Sequence, residues 1–282
     1  MAQPPHSHKA RKRFGQNFLV DQRIINHIVR AIHPKPQDNL VEIGPGKGAI
    51  TALLLSACAG LQVVELDRDL IPILQDQFAN YPGLNIHQAD ALKFDFGALA
   101  SVDNPLRVVG NLPYNISTPL IFHLLSYRER ITDMHFMLQK EVVLRMAAGP
   151  GDNNYGRLGI MTQYFCRVEH LFDVGPECFR PVPKVESAIV RLAPYSQLPF
   201  VAQDEKLFEA VVRTAFSQRR KTLRNCLRTL LEATTLESLG IDPNLRAENL
   251  SIGQYVALAN HLAAAGVAAN DAEPAAHTES DV

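Results

Sequence analysis

Leu40-Val41-Glu42-Ile43-Gly44-Pro45-Gly46-Lys47-Gly48-Ala49 decides the fold. A short apolar strand runs into three glycines at alternate positions, and Ala49 to Ala57 continues as an apolar helix. A turn of this kind lets backbone approach a ligand closely and points free N–H groups at it from the start of the helix. Strand and helix then alternate: Leu61 to Leu66 with Leu70 to Phe78, Leu84 to His87 before Asp90, Leu106 to Val109 with a helix from about Thr118 to Leu125, and Met134 to Leu138 with Lys140 to Ala147. The alternation predicts an α/β fold with a doubly wound, mostly parallel sheet of Rossmann-like type. Val168 to Val174 and Ser187 to Leu192 read as later strands, an antiparallel hairpin closing one edge. Upstream, Asp21 opens a helix with Ile24, Ile25, Ile28, Val29 and Ile32 on one face, ended by Pro34 and Pro36.

From Asp204 the pattern is helical only. Phe208, Val211, Val212, Ala215 and Phe216 form one apolar face, Leu223, Cys226, Leu227, Leu230 and Leu231 another, and Ile252 to Ala264 is a final helix. Pro194 to Pro199 reads as the linker. The expected organisation is a disordered leader over 1–8, an α/β domain over 9–198, a smaller all-α domain over 199–265 and a disordered acidic tail over 266–282.

A chain of 282 residues, 46% hydrophobic and 20% charged, can bury a sizeable core. No apolar run approaches a membrane span, and the start is polar and basic, so a cytoplasmic location is expected. The four cysteines have no C-x-x-C pair, the histidines have no ligand spacing, and no metal site is expected. The net charge of -1 is unevenly spread. All four charges of the tail are acidic, while Lys9, Arg11, Lys12 and Arg13 form one basic cluster and Arg213, Arg219, Arg220, Lys221, Arg224 and Arg228 another with no acid between them. Such clustering is the footprint of a polyanion partner. Arg213, Arg220, Arg224 and Arg228 would form one stripe on a continuous helix, with Lys221 beside it.

The ligand of the glycine turn is less decided. Gly44 to Ala49 fits the dinucleotide pattern G-x-G-x-x-G/A, and Glu65 lies 21 residues after Gly44, where a carboxylate takes ribose hydroxyls, so a nicotinamide dinucleotide competes with S-adenosylmethionine. Three features favour the latter. Glu42 stands ahead of the turn, where it can order an amino-acid end. Asp90 can accept from an adenine amine, with the Ala91 N–H opposite the ring nitrogen. Asn111-Leu112-Pro113-Tyr114, after the fourth strand, combines an amide oxygen and a carbonyl that accept from an exocyclic NH2 with a ring that stacks on a base. Asp90 also reads as a plain cap or turn residue, and Asn111 to Tyr114 as a proline turn.

Taken with Phe14-Gly15-Gln16-Asn17-Phe18-Leu19, Val64-Glu65-Leu66-Asp67, Ala89-Asp90-Ala91-Leu92 and Phe179-Arg180-Pro181-Val182-Pro183-Lys184-Val185-Glu186-Ser187, these motifs resemble the ribosomal RNA adenine N6,N6-dimethyltransferases, most closely the bacterial small-subunit branch. The resemblance spans Lys9 to Ala264. It implies a methyltransferase of Rossmann-like fold that binds S-adenosylmethionine through Gln16, Asn17, Leu19, Glu42, Gly44, Gly46, Glu65, Leu66, Asp90, Ala91 and Asn111. It implies that Asn111, Leu112 and Tyr114 hold the target adenine and that Phe179 closes over its other face. Arg180 and Lys184 join the basic cluster as RNA contacts. The implied substrate is a pair of adjacent adenines in a hairpin near the 3′ end of small-subunit ribosomal RNA, with a role in late subunit assembly. The implied partner is the small ribosomal subunit, met by a monomer without membrane contact. Lys47 departs from the small or apolar residues usual there. Other readings are an adenine methylase of large-subunit RNA or DNA and a non-catalytic assembly factor of the same fold.

Overall fold

A computed structural model describes residues 16–269. The leader, the basic cluster Lys9 to Arg13, Phe14, Gly15 and the tail beyond 269 lie outside the described residues. In chain order the elements are β1 (Phe18–Leu19), α1 (Gln22–Ile32), β2 (Asn39–Ile43), α2 (Thr51–Ala57), β3 (Leu61–Glu65), α3 (Ile71–Gln77), β4 (Leu84–Gln88), β5 (Leu106–Asn111), α4 (Ser117–Leu125), β6 (Ile131–Gln139), α5 (Lys140–Ala147), α6 (Arg157–Phe165), β7 (Cys166–Val174), β8 (Phe179–Arg180), β9 (Ser187–Pro194), α7 (Glu205–Ala215), α8 (Leu223–Cys226), α9 (Ala233–Ser238) and α10 (Ile252–Ala264).

The chain divides into two units, one of residues up to 143 together with 167–196, the other of 144–166 together with those from 197 on. This corrects the expected single boundary near residue 198. Residues 148–167 carry no clear periodicity in sequence, yet Tyr155, Ile160, Met161 and Tyr164 are buried in one core with Leu207, Phe208, Val211 and Leu258. That shared apolar burial assigns α6 to the helical unit.

The first unit is built on a seven-stranded sheet of order β4-β3-β2-β5-β6-β9-β7. β2 pairs in parallel with β3 and β5, β3 with β4, and β5 with β6, whereas β9 runs antiparallel to β6. The late strand pair does close an edge, with β7 at the border and β9 inside. Strand order reverses between β2 and β5, and the crevice at that reversal, beyond the carboxyl ends, is where open α/β sheets bind ligands. β5 must lie close to β2 there. At Gly110 an added Cβ would stand 2.6 Å from the Ile43 carbonyl oxygen, so no side chain fits.

α1 starts as its sequence predicts. The Asp21 carboxylate accepts from the N–H groups of Arg23 and Ile24, satisfying two donors that the helix leaves unpaired, and Ile25, Ile28 and Ile32 are buried. A second sheet, legible in no periodicity, joins β1 to β8 antiparallel, with Leu19 opposite Phe179. At the amino end of the main sheet, Asp133 on β6 accepts from Arg107 Nε at 2.8 Å and Arg191 Nε at 3.2 Å, and Arg107 also reaches Asp38 at 2.6 Å.

In the second unit the arginine stripe is not formed, because no continuous helix carries it. α7 ends at Ala215, a 3-10 turn follows over Phe216–Gln218, and Thr222 is extended at φ -73° and ψ 160° before the short α8. Arg213 is partly buried on α7, with its Nε shielded from solvent, while Arg220, Lys221, Arg224 and Arg228 are exposed on separate segments. Among the described residues no helix is long and apolar enough to cross a membrane, and no cluster of ligating side chains could hold a metal.

Candidate active site

A cavity of about 330 Å³ opens at the carboxyl ends of the strands of the first unit. The glycine turn after β2 forms its floor with φ of +66°, +59° and +77° at Gly44, Gly46 and Gly48, a region that residues bearing a Cβ rarely adopt. Gly46 is also close-packed, since an added Cβ would sit 3.1 Å from the Phe18 ring. Around the turn stand Gln16, Asn17 and Leu19 from the β1 segment, Glu65 and Leu66 at the end of β3, Asp90 and Ala91 after β4, and Asn111, Leu112 and Tyr114 at the end of β5. Four strand ends and the amino-terminal segment thus converge on one space.

Hydrogen bonds fix most of these groups. The Asn111 Nδ2 donates to the Asn17 carbonyl at 3.2 Å, which commits the donor end of the amide and leaves Oδ1 as the acceptor offered to a ligand. Leu112 N–H donates to the Met137 carbonyl at 3.2 Å. The Tyr114 hydroxyl meets Ser187 Oγ at 3.0 Å. Gln16 Nε2 donates to Asp67 Oδ2 at 3.0 Å, tying the β1 segment to the end of β3. Asp90 spends one oxygen on the Leu92 N–H at 3.0 Å, so the turn role read from its sequence is met within the cavity wall. Lys47 lies with Nζ 5.0 Å from the centre of the Phe18 ring, a cation–π contact.

Two carboxylates are buried in this cavity. Glu65 accepts from the Asp67 N–H at 2.8 Å, and burial holds its carboxyl above the usual range although backbone N–H groups of Asp67 and Gly46 oppose the shift. Glu42, 2% exposed, is pushed up to about 7 by burial, with the charge of Glu65 adding to the shift and a 2.6 Å hydrogen bond from Thr51 Oγ1 opposing it. A carboxyl whose pKa is raised on folding binds its proton more tightly folded than unfolded, so its contribution to stability falls as pH rises from about 4.5 to about 7. His135, buried and held near 4, acts oppositely as pH rises toward 6.5, so the wild-type profile sums opposing contributions. Subtracting profiles separates them. Cofactor-free Glu42→Gln gains on the order of 3 kcal/mol relative to wild type between pH 4.5 and pH 8, read by urea unfolding; a pH-independent difference contradicts the shift.

Phe179 is not where the sequence led us to expect it. It is 1% exposed, does not line the cavity, and belongs to the core around Leu19, Val174 and Cys178, because its pairing with β1 draws it inward. The assignment of Phe179 as an aromatic lid is therefore corrected to that of a core anchor beneath β1. Arg180 and Lys184 are exposed and also stand outside the cavity, and Arg180 Nη1 turns back to the carbonyls of Glu177 and Phe179 at 2.9 and 2.7 Å. Sequence reasoning missed Thr51 and Ser187. Thr51 was detectable in principle, nine residues after Glu42 at a helix start; Ser187 becomes visible only through strand order.

The cavity suits a ligand with an ammonium, ribose hydroxyls and an adenine: two buried carboxylates, a close-packed turn at positive φ at Gly46, and polar groups at the ends of β4 and β5. Fold and site together define an S-adenosylmethionine-dependent methyltransferase. The sequence profile of the ribosomal RNA adenine dimethylase family matches residues 7–264, and the chain belongs to that family. It is 69% identical to the ribosomal RNA small subunit methyltransferase A of Saccharophagus degradans over 92% of this chain and 97% of that one. It is 64% identical to the protein of the same description from Marinobacter nauticus, over 93% and 94% of the two chains. Among solved structures, a dimethyladenosine transferase from Plasmodium falciparum superposes with a TM-score of 0.77 at 27% identity, covering 89% of this chain and 98% of that one.

Proposed function

We propose that this enzyme transfers methyl groups to the N6 amines of two adjacent adenines in a hairpin near the 3′ end of small-subunit ribosomal RNA. The observation that carries this reading is the committed amide of Asn111, whose remaining acceptor lies in one cavity with Glu65 and Tyr114. S-adenosylmethionine, when bound, supplies an electrophilic methyl group. The chain's own residues present the amine to it. An adenine N6 lone pair is delocalised into the ring, and two acceptors, Asn111 Oδ1 and the Leu112 carbonyl, hold its hydrogens and favour the pyramidal geometry of attack. Catalysis is then alignment and local electrostatics. Tyr114 offers a face for the flipped base, worth about 1 to 3 kcal/mol for a stacked ring. No side chain serves as a base, because a methylated adenine ammonium is acidic enough to release its proton to water. Glu65 takes the ribose hydroxyls, Asp90 with the Ala91 N–H takes the adenine of the cofactor, and Glu42 orders the cofactor's amino-acid end. Gln16, Asn17, Leu19 and Leu66 complete the cofactor wall.

The enzyme acts as a cytoplasmic monomer on the small subunit, late in its assembly. Incubation with labelled S-adenosylmethionine and, in parallel, small subunits lacking the modification, large subunits and duplex DNA tests the substrate. Label is expected in small-subunit RNA alone; label confined to large-subunit RNA or DNA overturns the assignment.

Arg220, Lys221, Arg224 and Arg228, exposed in the helical unit, contact RNA phosphates. Their clustering without an intervening acid supports this reading, though not as a single helical stripe. Arg220→Ala with Arg224→Ala is expected to weaken small-subunit binding and to reduce the slope of log affinity against log salt by roughly two, with cofactor affinity unchanged. Filter binding across a salt series reads both quantities, and an unchanged slope removes these two side chains from the interface.

A further inference from the structure

We propose that Ser187 is a positioning residue for methyl transfer, its hydroxyl holding the Tyr114 ring in the plane that receives the target adenine. The inference rests on the reading that Tyr114 stacks on the base. The Tyr114 hydroxyl and Ser187 Oγ are 3.0 Å apart although 73 residues separate them in the chain. Ser187 is 1% exposed and is the first residue of β9. Because β9 runs antiparallel to β6, its first residue lies at the same edge of the sheet as the ends of β5 and β6, where the cavity opens. Its place there is fixed on both sides. Ser187 stands opposite Gln139 in the sheet register, and the next residue, Lys140, donates its N–H to the Glu186 carbonyl at 3.0 Å while its Nζ reaches Glu186 at 3.0 Å and Asp173 at 2.8 Å.

Tyr114 is held at its other end as well, since its carbonyl accepts from Ser117 Oγ at 3.1 Å. A tyrosine has two soft side-chain torsions, and tethering both the backbone and the phenol tip removes the freedom of the ring to tilt. The hydroxyl is therefore spent on the protein. What Tyr114 offers a ligand is its ring face, pre-set at no ordering cost when the base arrives.

A double-mutant cycle tests this with full-length protein, small subunits lacking the modification and labelled S-adenosylmethionine. Ser187→Ala and Tyr114→Phe are each expected to lower kcat/KM for the subunit by roughly 5- to 10-fold, the scale of one neutral hydrogen bond, and the double variant no further than either single. Ser187→Thr, which keeps the hydroxyl, restores most of the rate, and cofactor affinity stays at the wild-type value in all of them. Multiplying effects in the double variant overturn the inference, as does a wild-type rate for Tyr114→Phe, a variant that does not alter Ser187. A wild-type rate for Ser187→Ala where Tyr114→Ala has lost activity overturns the role of Ser187 and leaves the stacking role of Tyr114 standing. A wild-type rate for Tyr114→Ala overturns both.

Discussion

Asn111→Ala is expected to slow methyl transfer by roughly 10²- to 10³-fold, the scale set by removing one preorganised polar contact to a reacting group. The amide is already oriented before a ligand arrives, because Nδ2 donates to the Asn17 carbonyl at 3.2 Å. Alanine removes the acceptor and the orientation together. RNA affinity depends mainly on phosphate contacts and should change by no more than about twofold. The partition distinguishes alignment from binding. Single-turnover rates at saturating subunit, set beside filter-binding affinities, measure it, and a parallel loss of both would contradict the role given to Asn111. Asn111→Asp is a harsher control, since a carboxylate has no N–H to give Asn17 and loses the registered amide.

Asp133→Ala is expected to cost about 3 to 5 kcal/mol of unfolding free energy, the usual penalty for stranding one partner of a buried ion pair. The Asp133 side chain is 4% exposed and faces Arg107, itself 14% exposed, and Arg191. Burial alone would raise the Asp133 carboxyl, but the Arg107 hydrogen bond and the charges around it hold it below its ordinary value. A carboxylate with a depressed folded pKa stabilises the fold above its unfolded pKa and loses that contribution as pH falls through its folded value. The network lies at the amino end of the sheet, opposite the cavity. Urea midpoints at pH 7 should therefore drop sharply while the transfer rate at a temperature where the variant remains folded stays near wild type. A loss below about 1 kcal/mol would place the pair among ordinary surface ion pairs.

The parallel sheet was legible because its central strands are mostly buried and read as short, largely apolar runs, as in Leu61 to Glu65 and Leu106 to Gly110. The cofactor wall was legible because strand-end chemistry is local: a positive-φ turn needs glycine, Glu65 and Asn111 end the strands β3 and β5, and Asp90 stands two residues after β4. What escaped was non-local. The direction of Phe179 depends on its pairing with Leu19, 160 residues away, and a two-residue strand has no period to detect. The break between α7 and α8 escaped because Arg213, Arg220, Arg224 and Arg228 match helical spacing whether or not Thr222 is extended. α6 carries Gly159 and follows Gly149-Pro150-Gly151, which obscured its helical pattern and with it the true division between the two units. Ser187 stood at the end of a recognised motif, but its partner could be known only once β9 was placed beside β6.

The central claim, that Asn111 to Tyr114 presents an adenine N6 amine for repeated methyl transfer, is tested most directly by nucleoside analysis of the 3′ fragment of small-subunit RNA after reaction with wild-type enzyme. The account predicts N6,N6-dimethyladenosine at two adjacent positions and its loss with Asn111→Ala. Methylation at a ring nitrogen or a ribose hydroxyl, or dimethyladenosine made at the wild-type rate by Asn111→Ala, would contradict it.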